Sequence, residues 1–230
     1  MKTNHLRNLK PTFAFTLVEM LIVISIIAVL AAMIFPAFAA VKKSMTIKKA
    51  KAELRAVVLA IDSYKSKKGY YPPDHNGVTN ATTTSLYFEL SGVTNTPVNA
   101  VDANNWFQTF DGAAKINAAA CQTTFGQGGI MNCSKATGED GGQRAWEFIK
   151  QLKPNQYGEI GGGIRVLTCS VVWPVDSGDV IPGFPLVNPW RYVSSGPTNN
   201  NDSYDLWVDI VIGNKTNRIS NWSETPEIVP

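Results

Sequence analysis

From Phe15 to Phe35 the chain reads FTLVEMLIVISIIAVLAAMIF, followed directly by Pro36. Glu19 is the only ionisable residue in that run. At 1.5 Å rise per residue, a helix of this length spans about 30 Å, the hydrocarbon thickness of a bilayer. A core helix of a globular domain carries one apolar stripe, whereas this segment is apolar on every side. Two readings then compete. One is a cleavable secretory signal, with Lys2, Arg7 and Lys10 as its basic flank and Ala37-Phe38-Ala39 as its cut site. The run exceeds the roughly 7–15 residues usual for such a signal, and an early carboxylate fits it poorly. The other, a retained single-pass membrane helix over residues 15–35, is the expectation. Lys42 and Lys43 on its far side leave only a weak charge bias to set its orientation.

Glu19 is the anomaly in this segment. A carboxylate in hydrocarbon costs on the order of 3 kcal/mol on insertion scales and is as a rule partnered. Lying four residues after Phe15, it can reach toward the headgroups. Alternatively it pairs with a cation from another molecule, because the apolar run contains none.

The net charge of +3 comes from 21 Lys+Arg against 18 Asp+Glu. Lys2, Arg7 and Lys10 account for all of it, so nothing points to a nucleic-acid partner. With 44% hydrophobic and 17% charged residues, wholesale disorder is excluded.

Beyond Pro36 the helical pattern continues through 36–68 as an amphipathic segment. Ile47, Ala50, Leu54, Val57, Val58, Ile61 and Tyr64 recur at three- and four-residue steps and mark a packing face. Lys48, Lys49, Lys51, Glu53, Arg55 and Lys65 read as a solvated face. Gly69 is a C-cap, and Pro72-Pro73 stop the helix. Residues 69–230 then form a globular head. Its middle, 74–163, is loop-rich, with short helices expected near 86–90 or 106–119 and at 143–152. The clusters Gly126-Gln-Gly-Gly129, Gly141-Gly142 and Gly161-Gly-Gly163 match no phosphate-binding loop. Strands are expected at Ile164–Trp173, Leu186–Ser194 and Tyr204–Ile212, in an antiparallel meander over 164–222 that covers the helix stripe. The fold class is α+β: a long N-terminal helix packed on a C-terminal antiparallel sheet.

Three cysteines lie in the head. In an oxidising compartment Cys121 and Cys133 enclose a short Gly-rich loop whose closure by a disulfide is worth about 3 kcal/mol, and Cys169 reads as a buried apolar residue. No CxxC or Cys/His zinc spacing exists. His5 and His75 are the only histidines, so a nucleophile–base site would depend on His75 in a polar loop. No catalytic constellation is expected, and the chain reads as a non-enzyme.

Lys10-Pro-Thr-Phe-Ala14 followed by Phe15-Thr16-Leu17-Val18-Glu19-Met20-Leu21-Ile22-Val23-Ile24 resembles the leader and N-terminal helix of type IV pilins and type II secretion pseudopilins. The resemblance implies a leader over residues 1–14, cut between Ala14 and Phe15 by prepilin peptidase, and methylation of the new N-terminal Phe15. It makes Glu19 the assembly glutamate, facing the freed amine of a neighbouring subunit, and Pro36 the helix-kinking proline. The residue before the cut is Ala14, where the family prefers Gly. Gly69-Tyr-Tyr-Pro72, Asn188-Pro189-Trp190 with Tyr192, Tyr204-Asp205-Leu206 and Asn221-Trp222 look like runs of the major pseudopilins. The likeness covers about residues 1–73 and 187–222 and leaves the middle unaccounted for.

It implies a pilin-like fold and a subunit of a pseudopilus in type II protein secretion. The partners would be prepilin peptidase, other pilin or pseudopilin subunits, the inner-membrane assembly platform and membrane lipid. The chain would cross the cytoplasmic membrane once, with a periplasmic head. No cofactor is expected. Calcium, which major pseudopilins often hold after this Tyr-Asp-Leu run, would have to use Asp209, Asn214, Thr216 and Asn217, and the acidic cluster it wants is missing. Two alternatives stay open: a type IV pilin for adhesion, motility or DNA uptake, and a membrane-tethered module whose middle region binds a polysaccharide or protein.

Overall fold

Helix α1 runs from Leu17 to Lys68. The computed structural model describes residues 15–75, 81–97, 105–135 and 144–229, leaving aside the side chains of 33–37, 39, 96, 97, 105 and 135. The expected leader, Ala14 included, lies outside the described residues, and so does the side chain of Pro36 with the kink expected there; the helical assignment itself passes through Pro36. The chain forms two compact units, residues 1–44 and 45–230, each taken by itself below.

In the second unit, Ala50, Leu54, Val57, Ala60, Ile61 and Tyr64 of α1 are buried, as their spacing requires of a packing face. They join one core cluster with Trp190, Tyr192, Leu206, Val208, Ile210 and Ile219. The helix ends at Gly69, held at φ 87°, whose N–H reaches the Lys65 carbonyl at 2.9 Å. Three residues depart from the solvated face: Lys51 donates to the Glu224 carbonyl, the Lys65 ammonium lies over the Tyr71 ring at 4.7 Å, and the Glu53 carboxylate accepts the N–H and hydroxyl of Ser170.

That sheet has the order β10-β9-β8-β7, antiparallel throughout, with β7 at Arg191–Val193, β8 at Asp205–Ile212, β9 at Lys215–Ser220 and β10 at Glu227–Val229. The alternation along β8 places Leu206, Val208 and Ile210 in the core. Of the strand expected at 164–173, only β6 (Arg165–Leu167) forms. It pairs with β5 (Tyr157–Glu159) rather than with the meander. A bridge between Thr168 and Pro189 ties it to the segment before β7.

The middle region builds a sheet of its own, in the order β3-β2-β1-β4. Here α2 (Leu86–Ser91) leads into β1 (Val93–Pro97), then β2 (Asn105–Thr109), β3 (Lys115–Asn117), α3 (Ala118–Phe125) and β4 (Cys133–Lys135). The helix at 86–90 is present. The helix at 106–119 is replaced by the β2–β3 hairpin and only begins at Ala118. Asp111-Gly112 explains this: Asp111 Oδ1 accepts from the Thr109 hydroxyl (2.6 Å) and the Ala113 N–H (3.0 Å), building a turn that a helix cannot contain. Asn117 then caps α3 by accepting the Ala120 N–H at 2.7 Å.

The helix expected at 143–152 is also absent among the described residues 144–152. Its backbone is engaged elsewhere. The N–H groups of Phe148 and Ile149 both donate to the Leu90 carbonyl, at 2.8 and 3.1 Å, and the Trp146 backbone is held on both sides by the Asn132 side chain. The bonds to Leu90 satisfy a carbonyl in the last turn of α2, and tertiary demand overrides the local helical pattern.

Candidate functional site

Thr16 and Glu19 close the start of α1 on each other. Thr16 Oγ1 accepts the Glu19 N–H at 3.2 Å, while Glu19 Oε2 accepts the Thr16 N–H at 2.8 Å and the Thr16 hydroxyl at 2.7 Å. This reciprocal capping box satisfies donors that a helix start otherwise leaves open, and it sets the negative charge at the positive end of the helix dipole. The sequence carries the signal as Thr16-Leu17-Val18-Glu19, the spacing of a capping box. Both bonds from Thr16 fall on Oε2, and Oε1 accepts none among the described residues.

Around this carboxylate the helix is apolar in every direction. Phe15, Leu17, Met20, Ile24, Ile27 and Leu30 are all more than half exposed. The one hydroxyl further along, Ser25, donates to the Ile22 carbonyl at 2.7 Å and presents no unmet donor. Among the described residues no helix is long and apolar enough to cross a membrane. The described side chains of this run stop at Ala32, before the apolar sequence itself ends at Phe35.

The head motifs form an internal network. The Pro72 carbonyl, at the end of Gly69-Tyr-Tyr-Pro72, accepts the hydroxyls of Tyr192 (2.8 Å) and Ser194 (3.0 Å). Asp74 accepts the N–H groups of Ser194 and Ser195 at 2.9 and 2.8 Å. Tyr204 packs edge-on to Tyr71 and donates to Asp62 at 3.2 Å. Asn221 brackets the start of β8, accepting the Leu206 N–H and donating to the Tyr204 carbonyl, both at 2.9 Å. Asn188 donates to the carbonyls of Val171 and Asp209, and Trp190 is buried beside it. Tyr204 bonds α1 directly through Asp62, and the other side chains tie returns of the chain to one another.

Asp209 is committed to arginines. Arg218 Nε and Nη2 meet its carboxylate at 2.9 and 3.1 Å, and Arg191 approaches to 3.9 Å. Of the other oxygens considered for calcium, Asn217 is buried on β9, donating its side chain to the Lys215 carbonyl, and Asn214 sits in the β8–β9 turn. Asp205, at the start of β8, accepts the N–H groups of Thr198, Asn199 and Asn200, each at 2.9 Å. Among the described residues no three His, Cys, Asp or Glu side chains group as a metal site would require.

All three cysteines are free thiols, so the expected Cys121–Cys133 bridge is not formed. Cys121 is buried on α3, and Cys133 on β4 donates to the Ser134 carbonyl. Burial pushes these two thiols up to about 12 and about 11, which keeps them protonated and unreactive at neutral pH. His75 has its Nδ1 buried without a hydrogen-bond partner, and its ring lies against Gly126. Ser195 donates its hydroxyl to Asp74 and not to an imidazole.

Sequence reasoning missed Glu89. It is wholly buried on α2, with Oε1 accepting the Met131 N–H (2.7 Å) and Oε2 accepting the Tyr64 hydroxyl and the Asn132 N–H (both 2.9 Å). Burial raises its pKa to about 7 against the pull of those three donors and of Lys68. The available signal was a carboxylate inside the otherwise apolar run Leu86-Tyr-Phe-Glu-Leu90.

Residues 10–35 match the family model described as the prokaryotic N-terminal methylation motif. The chain therefore carries an N-terminal segment of the type IV pilin and pseudopilin kind, the kind that prepilin peptidase processes; the match does not extend to the head. No curated protein and no solved structure matches the chain.

Proposed function

We propose that this chain is a non-catalytic subunit of a pseudopilus, serving type II protein secretion. Prepilin peptidase cuts it between Ala14 and Phe15, Phe15 is methylated, and residues 15–35 hold it in the cytoplasmic membrane with the head on the periplasmic side. The observation that carries this reading lies within the methylation-motif segment. There, a helix apolar all round bears a single carboxylate in its first turn.

The chemistry is coherent. Cleavage frees an α-amine at Phe15 whose pKa near 8 keeps it largely charged at neutral pH. Glu19 retains Oε1 for a cation after capping its own helix. The amine of a neighbouring subunit supplies one, and the pair offsets the cost of two charges in low dielectric. With subunits staggered head to tail, each amine on the Glu19 of the next subunit, the contact is heterologous and propagates a filament. Pro36 lacks one backbone donor and so permits a bend. Within the class, Gly69-Tyr-Tyr-Pro72, Asn188-Pro189-Trp190 and Asn221-Trp222 support the secretion reading over a type IV pilin.

Intact-mass measurement on chain recovered from cells with an active prepilin peptidase tests the reading. The expected product begins at a methylated Phe15. A full-length chain, or one beginning at Ala40, overturns it. Long extracellular fibres in micrographs would move the assignment to a type IV pilus.

A further inference from the structure

One pocket of the head belongs to none of this machinery. It has a volume of about 140 Å³. At roughly 10–15 Å³ of such space per water molecule, it has room for about ten non-hydrogen atoms, the size of one sugar ring. Four separate segments converge on it: α2, the β2–β3 turn, the stretch 147–152 and the β5–β6 hairpin.

Arg165 forms its polar end. The guanidinium lies over the Tyr157 ring at 4.4 Å, and one of its five donors goes to the Tyr87 hydroxyl at 3.1 Å. No carboxylate lies within ion-pair distance of Arg165 among the described residues. Two acids share the pocket at longer range. Asp111 uses Oδ1 for the β2–β3 turn and keeps Oδ2 free among the described residues. Glu147 is exposed and makes no hydrogen bond or ion pair among the described residues. Gln151 adds an amide from a backbone held at φ 54°, a conformation that costs a non-glycine residue energy and clusters at ligand sites. Phe110, 49% exposed, offers a ring surface at the rim.

One guanidinium, two carboxylates and an amide, all with unused hydrogen-bonding capacity beside an aromatic ring, do not suit an anion, because the acids outnumber the cation. They suit a neutral polyol. Carboxylate oxygens accept from hydroxyls, Arg and Gln donate to them, and an aromatic face packs on the C–H face of a sugar ring. We propose that this pocket binds one pyranose unit of a neutral saccharide. The proposal is independent of the filament assignment.

Saturation-transfer NMR on the full chain in an amine-oxide detergent, which brings no sugar headgroup, tests it with glucose, galactose and N-acetylglucosamine against acetate and glucuronate. At least one neutral sugar should bind saturably and more tightly than either anion. Arg165→Met and Glu147→Gln should each weaken it about tenfold, the effect of losing one charge-assisted hydrogen bond. Glu147 makes no hydrogen bond or ion pair among the described residues, so that variant decides the matter if Arg165→Met unfolds. Absence of saturable neutral-sugar binding, tighter binding of either anion, or wild-type affinity in Glu147→Gln overturns the proposal.

Discussion

Glu19 serves two ends that separate variants can pull apart. As a cap it needs only an acceptor three residues after Thr16, which Gln also supplies. As the partner of a neighbour's amine it needs its charge. Glu19→Gln should therefore leave cleavage and helix content unchanged and abolish co-assembly with wild-type subunits. Thr16→Ala should lose about 1 kcal/mol of cap stabilisation and still assemble. Crosslinking of co-expressed variant and wild-type subunits reads both, and normal incorporation of Glu19→Gln removes the charge-pair mechanism.

Glu89 makes a different prediction. Its folded pKa of about 7 stands above the ordinary 4.5, so between those values the folded state holds the proton more tightly than the unfolded chain. Stability then falls as pH rises through that window, by up to about 3 kcal/mol for this group. Thermal unfolding should show the wild type losing more stability than Glu89→Gln between pH 4.5 and about pH 7, the limits of that window. Identical pH dependence in the two proteins would refute the assignment.

At the scale of elements, the β-sheet is held at its ends by polar side chains. Asn221→Leu orphans the Leu206 N–H at the start of β8 and leaves the Tyr204 carbonyl only the Asn200 amide, and should cost about 1–3 kcal/mol, seen as a lower midpoint in denaturant. In mid-sheet, Asp209→Asn leaves Arg191 and Arg218 without their shared counter-charge, and Arg191 is already pushed down by burial. A loss of about 3–5 kcal/mol is expected from breaking such a pair, and calorimetry measures it. Elements were legible where chemistry is short-range. Gly69 and Pro72-Pro73 stop α1, and the alternation of β8 names its inward face. Elements were misread where a side chain from afar decides. Asn132 and the Leu90 carbonyl take the 144–152 backbone that its local pattern assigns to a helix.

For the molecule as a whole, the buried core runs from Ala50 to Ile219 among the described residues. A fragment of residues 45–230 should accordingly fold alone and unfold in one cooperative transition by circular dichroism; a non-cooperative melt would show that the core needs residues 1–44. Sequence by itself determined the apolar run with its lone Glu19, the amphipathic stripe from Ile47 to Tyr64, and the α+β class, because these depend on periodicity and on neighbours a few residues away. Tertiary structure alone decided that β1 to β4 make a sheet of their own, that β6 pairs with β5, that the cysteines are free thiols, and that Glu89 is buried under three donors. Those outcomes join residues tens of positions apart, such as Tyr64, Glu89 and Asn132, and no local pattern encodes which distant group will satisfy a buried polar atom.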